Sequence, residues 1–226
     1  MPLTIVQKSA DFLSAVLKKE PNLFDHLGAL ETAKKEELTE LLDHEKYIVW
    51  INLYNAFTQM ELRLMEGDKV QKQMFTEEIF TVAGQSISLD IIEHGILRGN
   101  KWKYSLGFLN GGHLPPRIRH WKCKRPDPRV HFVLNCGAAS CPIIRVLTYK
   151  NLEIEFEEAE KDYILQETQV DHDKKQIRVP GLFLFYFADF GRSKGIRKRV
   201  SAFIDHPNYK LKYQKFDWTT QAYKVK

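Results

Sequence analysis

The stretch that most constrains this chain runs from Asp127 to Arg145 and reads DPRVHFVLNCGAASCPIIR. Pro128 fixes its own φ and lacks an N–H, so it cannot occupy a central strand. The apolar run from Val130 to Leu134 predicts a short strand starting after it. Side chains alternate along a strand, so Val130, Phe132 and Leu134 share one face and His131, Val133 and Asn135 the other. Both faces are largely apolar, which predicts an interior position. The chain then drops through Asn135-Cys136-Gly137 to Cys141-Pro142. Polar and reactive groups thus arrive at the C-terminal end of a buried element, where sites are commonly built.

Residues 45–66, EKYIVWINLYNAFTQMELRLME, carry the strongest helical pattern, closed by Gly67 and Asp68. At about 3.6 residues per turn, Glu45, Asn52, Asn55, Gln59, Arg63 and Glu66 form one polar stripe on an otherwise apolar helix. Two readings stay open. The stripe is the solvent face of a core helix, or its central amides are half-buried and hydrogen-bonded to a site. Helical periodicity at 9–19 and 31–43, separated by Pro21 and Asn22, predicts a helical preface over 1–43 packed on a domain at 44–226. Residues 79–87 read as a hairpin turning at Ala-Gly-Gln, and 168–180 as a second one turning at Asp171–Lys174. Between and beyond them lie an acidic helix at 152–166, a buried helix or turn at 181–190, a basic helix at 193–204 and a last strand at 211–218. The sum is a single α+β domain with a buried mixed sheet flanked by helices.

In SLDIIEHGILRG, residues 88–99, Ser88 suits an N-cap and Asp90 favours the helix dipole. Leu89, Ile92, Ile96 and Leu97 define an apolar sector, and Glu93 projects inside it. His94 and Asp90 lie on its border as an i,i+4 pair. A carboxylate aimed at the core must find donors or take a raised pKa. Glu93 therefore either reaches an arginine (Arg98, Arg129 or Arg145), or with Asp90 orients His94 as part of a site. From Gly99 to Arg125 the chain is irregular yet rich in aromatics, an ordered loop of the kind that covers a site. His113 and His120 read as surface histidines.

Cys136 is the candidate nucleophile if an imidazole lowers its pKa. His94 is the favoured base, because His131 falls on the opposite strand face from the cysteine and reads as a group that either supports the site from behind or contacts the substrate. Gly137 permits a sharp turn, and the backbone N–H groups from Gly137 onward, with Asn135 and an amide from Asn52 or Asn55, form the expected oxyanion-binding side. Cys141 reads as structural or as a resolving partner for Cys136. A metal site using Cys136, Cys141 and His94 or His131 is a weaker option, because the spacing is irregular. No cofactor is called for.

Charge and length narrow the partners. The net charge of +5 is concentrated in RIRHWKCKR (117–125) and RSKGIRKR (192–199). These are solvated surfaces, or they meet an acidic protein or a phosphate-bearing partner. No apolar run approaches the roughly 20 residues needed to span a bilayer. With no secretory signal at the N-terminus, a cytoplasmic protein without a disulfide scaffold is expected.

Five separated segments carry a resemblance: WINLYNAF (50–57), SLDIIEHGILRG (88–99), DPRVHFVLNCGAASCP (127–142), VPGLFLFYFADFG (179–191) and FDW (216–218). In this order they resemble the family catalogued as domain of unknown function 547, over roughly residues 40–220. The chain lacks a heptad-rich coiled coil, so it resembles the family's stand-alone form. The resemblance implies no established activity. It places motif positions on Asn52, Asn55, Glu93, His94, His131, Asn135, Cys136 and Cys141. The usual Leu-Asp-Asp-Ile-Glu-His reads Leu-Asp-Ile-Ile-Glu-His here, so Ile91 stands where a second acid is common. The expectation is a cysteine-dependent hydrolase or acyl-transferase of papain- or transglutaminase-like geometry, acting on a small molecule or peptide. The competing expectation is a non-catalytic interaction or scaffold domain with structural cysteines.

Overall fold

The computed structural model describes residues 3–64, 72–112, 114–206, 208–222 and 225. Glu66, Gly67, Asp68 and His113, to which the sequence reading gave roles, lie outside them. The described helices are α1 (Ile5–Lys18), α2 (Leu23–Glu31), α3 (Lys35–Thr39), α4 (Asp43–Leu64), α5 (Gln73–Thr76), α6 (Leu152–Glu167), α7 (Leu182–Phe185) and α8 (Arg192–Ser201). The strands β1 (Phe80–Val82) and β2 (Gln85–Ile87) form a hairpin. The strands β3 (Gln169–Asp171), β4 (Gln176–Val179) and β5 (Lys210–Tyr213) form a small mixed sheet, β3 antiparallel and β5 parallel to β4.

The axis of the core is α4. Every residue from Lys46 to Gln59 is buried, including Asn52, Asn55 and Gln59. A helix that is apolar nearly all round has no solvent face to offer, so α1 packs along it with Phe12 against Phe57 at 5.7 Å. On another side Phe57 stacks on Phe80 of β1 at 4.1 Å, seating the hairpin. Lys46, though buried, donates its ammonium to the carbonyls of Lys122 (2.9 Å) and His120 (3.3 Å). Asp43 accepts from the N–H groups of Lys124 and Arg125. The backbone of the basic stretch 117–125 is thereby pinned to the start of α4.

The amide stripe explains why the expected interior strand does not form. Asn52 donates to the Leu147 carbonyl and accepts from the Leu147 N–H, both at 2.9 Å. Asn55 donates to the Val133 carbonyl at 2.9 Å and accepts from the Asn135 N–H at 2.8 Å. Each amide docks on the backbone as a neighbouring strand's peptide would, so the buried irregular segment 133–147 has these groups satisfied without a sheet. The Val130–Leu134 strand is corrected accordingly: Pro128–Phe132 is a short 3₁₀-helix. The Asp127 carboxylate caps it by accepting from the Arg129 N–H at 2.8 Å, and Pro128 suits its first position.

Helices and small sheets together make an α+β protein. Its core rests on α4 and not on a buried sheet, and β3 and β5 are largely exposed or half-buried. A papain- or transglutaminase-like sheet is not among the described elements. The 31–43 pattern divides into the end of α2, α3 and the start of α4. No helix among the described residues is long and apolar enough to cross a membrane.

Candidate functional site

Ser88 Oγ accepts from the Ile91 N–H, and the chain then runs as a π-helix from Ile91 to Leu97. The i→i+5 bond from Arg98 N–H to the Glu93 carbonyl, 2.9 Å, is its signature. This winding turns Asp90, Glu93 and His94 toward one cavity of about 400 Å³. The same cavity is lined by Tyr54 of α4, Lys103 and Tyr104 of the irregular loop, His131 and Cys136. Cys141, Tyr186 and the aromatic rings of Phe75, Phe185, Phe216 and Trp218 complete its wall. The floor is ionisable and the walls are apolar, the ordinary make-up of a small-molecule site.

Glu93 is 7% exposed, and its hydrogen bonds come from tyrosines and not from Arg98, Arg129 or Arg145. The hydroxyls of Tyr54 (3.1 Å) and Tyr186 (2.5 Å) donate to it, and His94 Nδ1 lies 3.6 Å away. Burial raises its pKa, but His94, His131, the Tyr186 hydroxyl and Arg98 outweigh that and hold it below the ordinary value. Asp90, 3.6 Å from His94 Nε2, goes the other way: burial raises its pKa against the opposing pull of Lys103, with which it is paired. Arg129 pairs with Asp127 and Glu153, and Arg145 with Glu155, Glu158 and Asp162.

Arg98, with a side chain only 1% exposed, donates to His94 Nδ1 at 2.8 Å and to Asp189 Oδ2 at 2.7 Å. A guanidinium only donates, so His94 Nδ1 carries the lone pair and the neutral ring bears its hydrogen on Nε2. His131 Nε2 donates to the same Asp189 oxygen at 3.0 Å, while its Nδ1 is buried without a hydrogen-bond partner. The His131 ring lies flat on Tyr186, centroids 3.6 Å apart. Burial pushes its pKa below the ordinary value, with Asp189 opposing and Arg98 adding, so it is neutral at pH 7. Burial would raise Asp189, yet the His131 N–H and the Arg98 guanidinium hold it well below the usual carboxylate range. Gly107, at φ +88°, makes room for this carboxylate: a Cβ there would meet Asp189 Oδ1.

Cys136 and Cys141 are joined by a disulfide, their Cα atoms 6.2 Å apart. The loop between them is latched from outside by residues 217–221. Ala139 N–H donates to the Thr219 carbonyl, Ser140 N–H to the Asp217 carbonyl, and Gln221 N–H to the Gly137 carbonyl. From inside, Asn135 spans it, donating to the Pro142 carbonyl at 2.7 Å and accepting from the Gly137 N–H at 2.9 Å. Gly137 does turn the chain, at φ +85°, with Leu62 where a Cβ would sit.

The structure therefore divides the expected site residues. Asp90, Glu93, His94, His131 and Cys136 share the cavity wall. Asn52, Asn55, Asn135 and Gly137 do not line it: their polar groups close bonds within the fold, and the Gly137 and Ala139 N–H groups are not free to receive an oxyanion. Among the described residues no group of three His, Cys, Asp or Glu side chains is placed to hold a metal ion. Sequence reasoning missed Asp189, Tyr54, Tyr186 and Lys103. Asp189 carried the same signal as Glu93, a lone acid in the apolar run GLFLFYFADF.

No curated protein and no solved structure matches the chain. The family model described as "Protein of unknown function, DUF547" matches residues 38–164, more than half of the chain. That span holds α4, the π-helix and the disulfide loop, while Asp189 and the 216–218 motif lie beyond it. On this match the chain belongs to the DUF547 family.

Proposed function

We propose that the cavity carries out thiol-dependent acyl transfer or hydrolysis, with Cys136 as nucleophile once a dithiol reductant, itself oxidised to a disulfide, has reduced the Cys136–Cys141 bond. The observation that carries this reading is that Cys136 and His94 line one cavity together with the carboxylates of Asp90 and Glu93 and a set of aromatic rings. With Nδ1 accepting from Arg98, His94 carries its hydrogen on Nε2. It acts as a hydrogen-bond donor and keeps that proton, which replaces the simple base role. The Cys136 thiolate attacks the substrate carbonyl, and the bond to the leaving group breaks as that group takes a proton from solvent. Water or a second nucleophile then attacks the thioester, loses a proton to solvent and releases the acyl group, which restores the thiolate. Asp90 faces Nε2 and Glu93 faces Nδ1, so both bias the imidazole. The aromatic wall favours a substrate with an aliphatic or aromatic flank.

The test is alkylation of reduced protein across pH, followed at Cys136 by mass spectrometry. Labelling as thiolate well below pH 8.5, slowed in His94→Ala with the melting temperature kept, supports the reading. Labelling that begins only near the ordinary thiol value, equal in both proteins, refutes it. A second reading, a non-catalytic interaction domain, draws on the closed disulfide and on the structural use of Asn52, Asn55 and Gly137. On that reading the disulfide resists reduction until the chain unfolds.

A further inference from the structure

Residues 100–111 form a narrow loop closed on itself. Lys101 bridges to Asn110, Trp102 N–H donates to the Leu109 carbonyl at 3.0 Å, and Phe108 N–H to the Ser105 carbonyl at 2.9 Å. Despite this internal order, its side chains face outward: Trp102, Tyr104, Leu106, Phe108 and Leu109 are between 39% and 61% exposed. Scattered exposed apolar residues are ordinary, but five in eight positions on one ordered loop are not. The acids that touch the loop, Asp90 and Asp189, are largely buried and paired with Lys103 and Arg98. No Asp or Glu occurs from Arg98 to Pro126 or within α8. The Arg192 guanidinium lies 5.2 Å over the Phe108 ring, and Arg192, Lys194 and Lys198 are exposed. Arg197 and Arg199 of the same helix are turned inward, onto the Tyr209 carbonyl and Glu160.

We infer that this loop docks the protein on an anionic lipid surface, inserting its aromatic and aliphatic side chains at the interface while the exposed start of α8 meets the headgroups. Trp, Tyr, Phe and Leu beside Lys and Arg are the side chains that settle at that depth, and each basic group near an anionic surface strengthens binding roughly fivefold. A protein partner would read the same rings, but a narrow loop offers little of the area that a stable protein interface buries. Lys103 and Tyr104 belong both to the loop and to the cavity wall, so docking would bring the cavity beside the membrane. The inference stands independently of whether Cys136 is a nucleophile.

The experiment is co-sedimentation of the full chain with phosphatidylcholine vesicles, with and without phosphatidylserine. Binding to the phosphatidylserine vesicles, weakened by salt, is expected. Leu109→Asp and Phe108→Asp should each reduce it tenfold or more, and Arg192→Glu should reduce it on anionic vesicles. Circular dichroism melts of the variants confirm folding; the Phe108 ring packs on Phe187, centroids 6.2 Å apart, so Leu109→Asp, at the more exposed site, serves if Phe108→Asp disturbs that packing. No binding to anionic vesicles overturns the inference, as does binding that both loop variants leave unchanged. Self-association abolished by Leu109→Asp in the absence of vesicle binding would assign the loop to a second copy and overturn it too.

Discussion

Replacing Asn55 by Ala should unfasten the segment that carries Cys136. The side chain is fully buried, as are Val133 and Asn135, whose carbonyl and N–H it satisfies. Truncation leaves one acceptor and one donor in the core without partners, at about 1–3 kcal/mol each, so a loss of about 4 kcal/mol is expected. Against a typical total of about 5–15 kcal/mol the variant stays folded but marginal. Urea denaturation followed by far-UV circular dichroism measures it, with an unchanged slope as the check that the unfolded state is unaltered. Asn55→Asp sharpens the test. It keeps the acceptor for Asn135 but points a carboxylate at the Val133 carbonyl, which favours the protonated form in the folded state. Its loss of stability relative to wild type should therefore be smallest at acid pH and grow as pH rises through the folded pKa. A loss below about 1 kcal/mol in Asn55→Ala, or wild-type stability in Asn55→Leu, which fills the volume but offers no hydrogen bonds, would refute the reasoning.

His131 has a folded pKa below its unfolded value of 6.5, so the unfolded chain binds more protons between the two and stability falls as pH drops beneath about 6.5; urea titrations should show this slope flattened in His131→Gln. Glu93 and Asp189, both depressed, should add to the loss below their ordinary values of 4.5 and 3.8. Gly107→Ala places a Cβ 2.2 Å from Asp189 Oδ1 at φ +88°, whereas Gly111→Ala at φ +112° meets nothing within 4 Å. Both should pay a backbone strain of about 1–3 kcal/mol, and only Gly107→Ala should lose more, read as a lower melting temperature. Arg98→Met removes the buried partner of Asp189 and should destabilise by about 3–5 kcal/mol, with Asp189→Asn in the same chain recovering part of it in a double-mutant cycle.

Much of the helical framework is legible in the residues. The apolar circumference of 45–64 demands a buried helix, and Pro21-Asn22 separates α1 from α2. The β1–β2 hairpin is equally local, because Ala83 and Gly84 both take positive φ in a two-residue turn. The Val130–Leu134 run forms no strand, and its sequence does not show this, because a short apolar segment has no period that separates a strand from a buried 3₁₀ turn. The amides that decide the matter lie some eighty positions earlier, on α4. At the site, Glu93 was marked by an acid in an apolar sector, and Asp90 and His94 by their spacing. Asp189 bore the first of these marks but has no nearby partner in the chain to give it meaning, since His131 and Arg98 come from other elements.

By itself the sequence determined what depends on neighbours along the chain: helical faces, the hairpin, the glycine turn after Cys136 and which side chains are reactive. Tertiary structure decided the destination of each buried polar group. It sent the α4 amides to the backbone of 133–147, and Arg98 and His131 to Asp189. Dihedral preference and periodicity act over a turn or two of chain, whereas a buried donor must find its acceptor wherever packing brings one within about 3 Å.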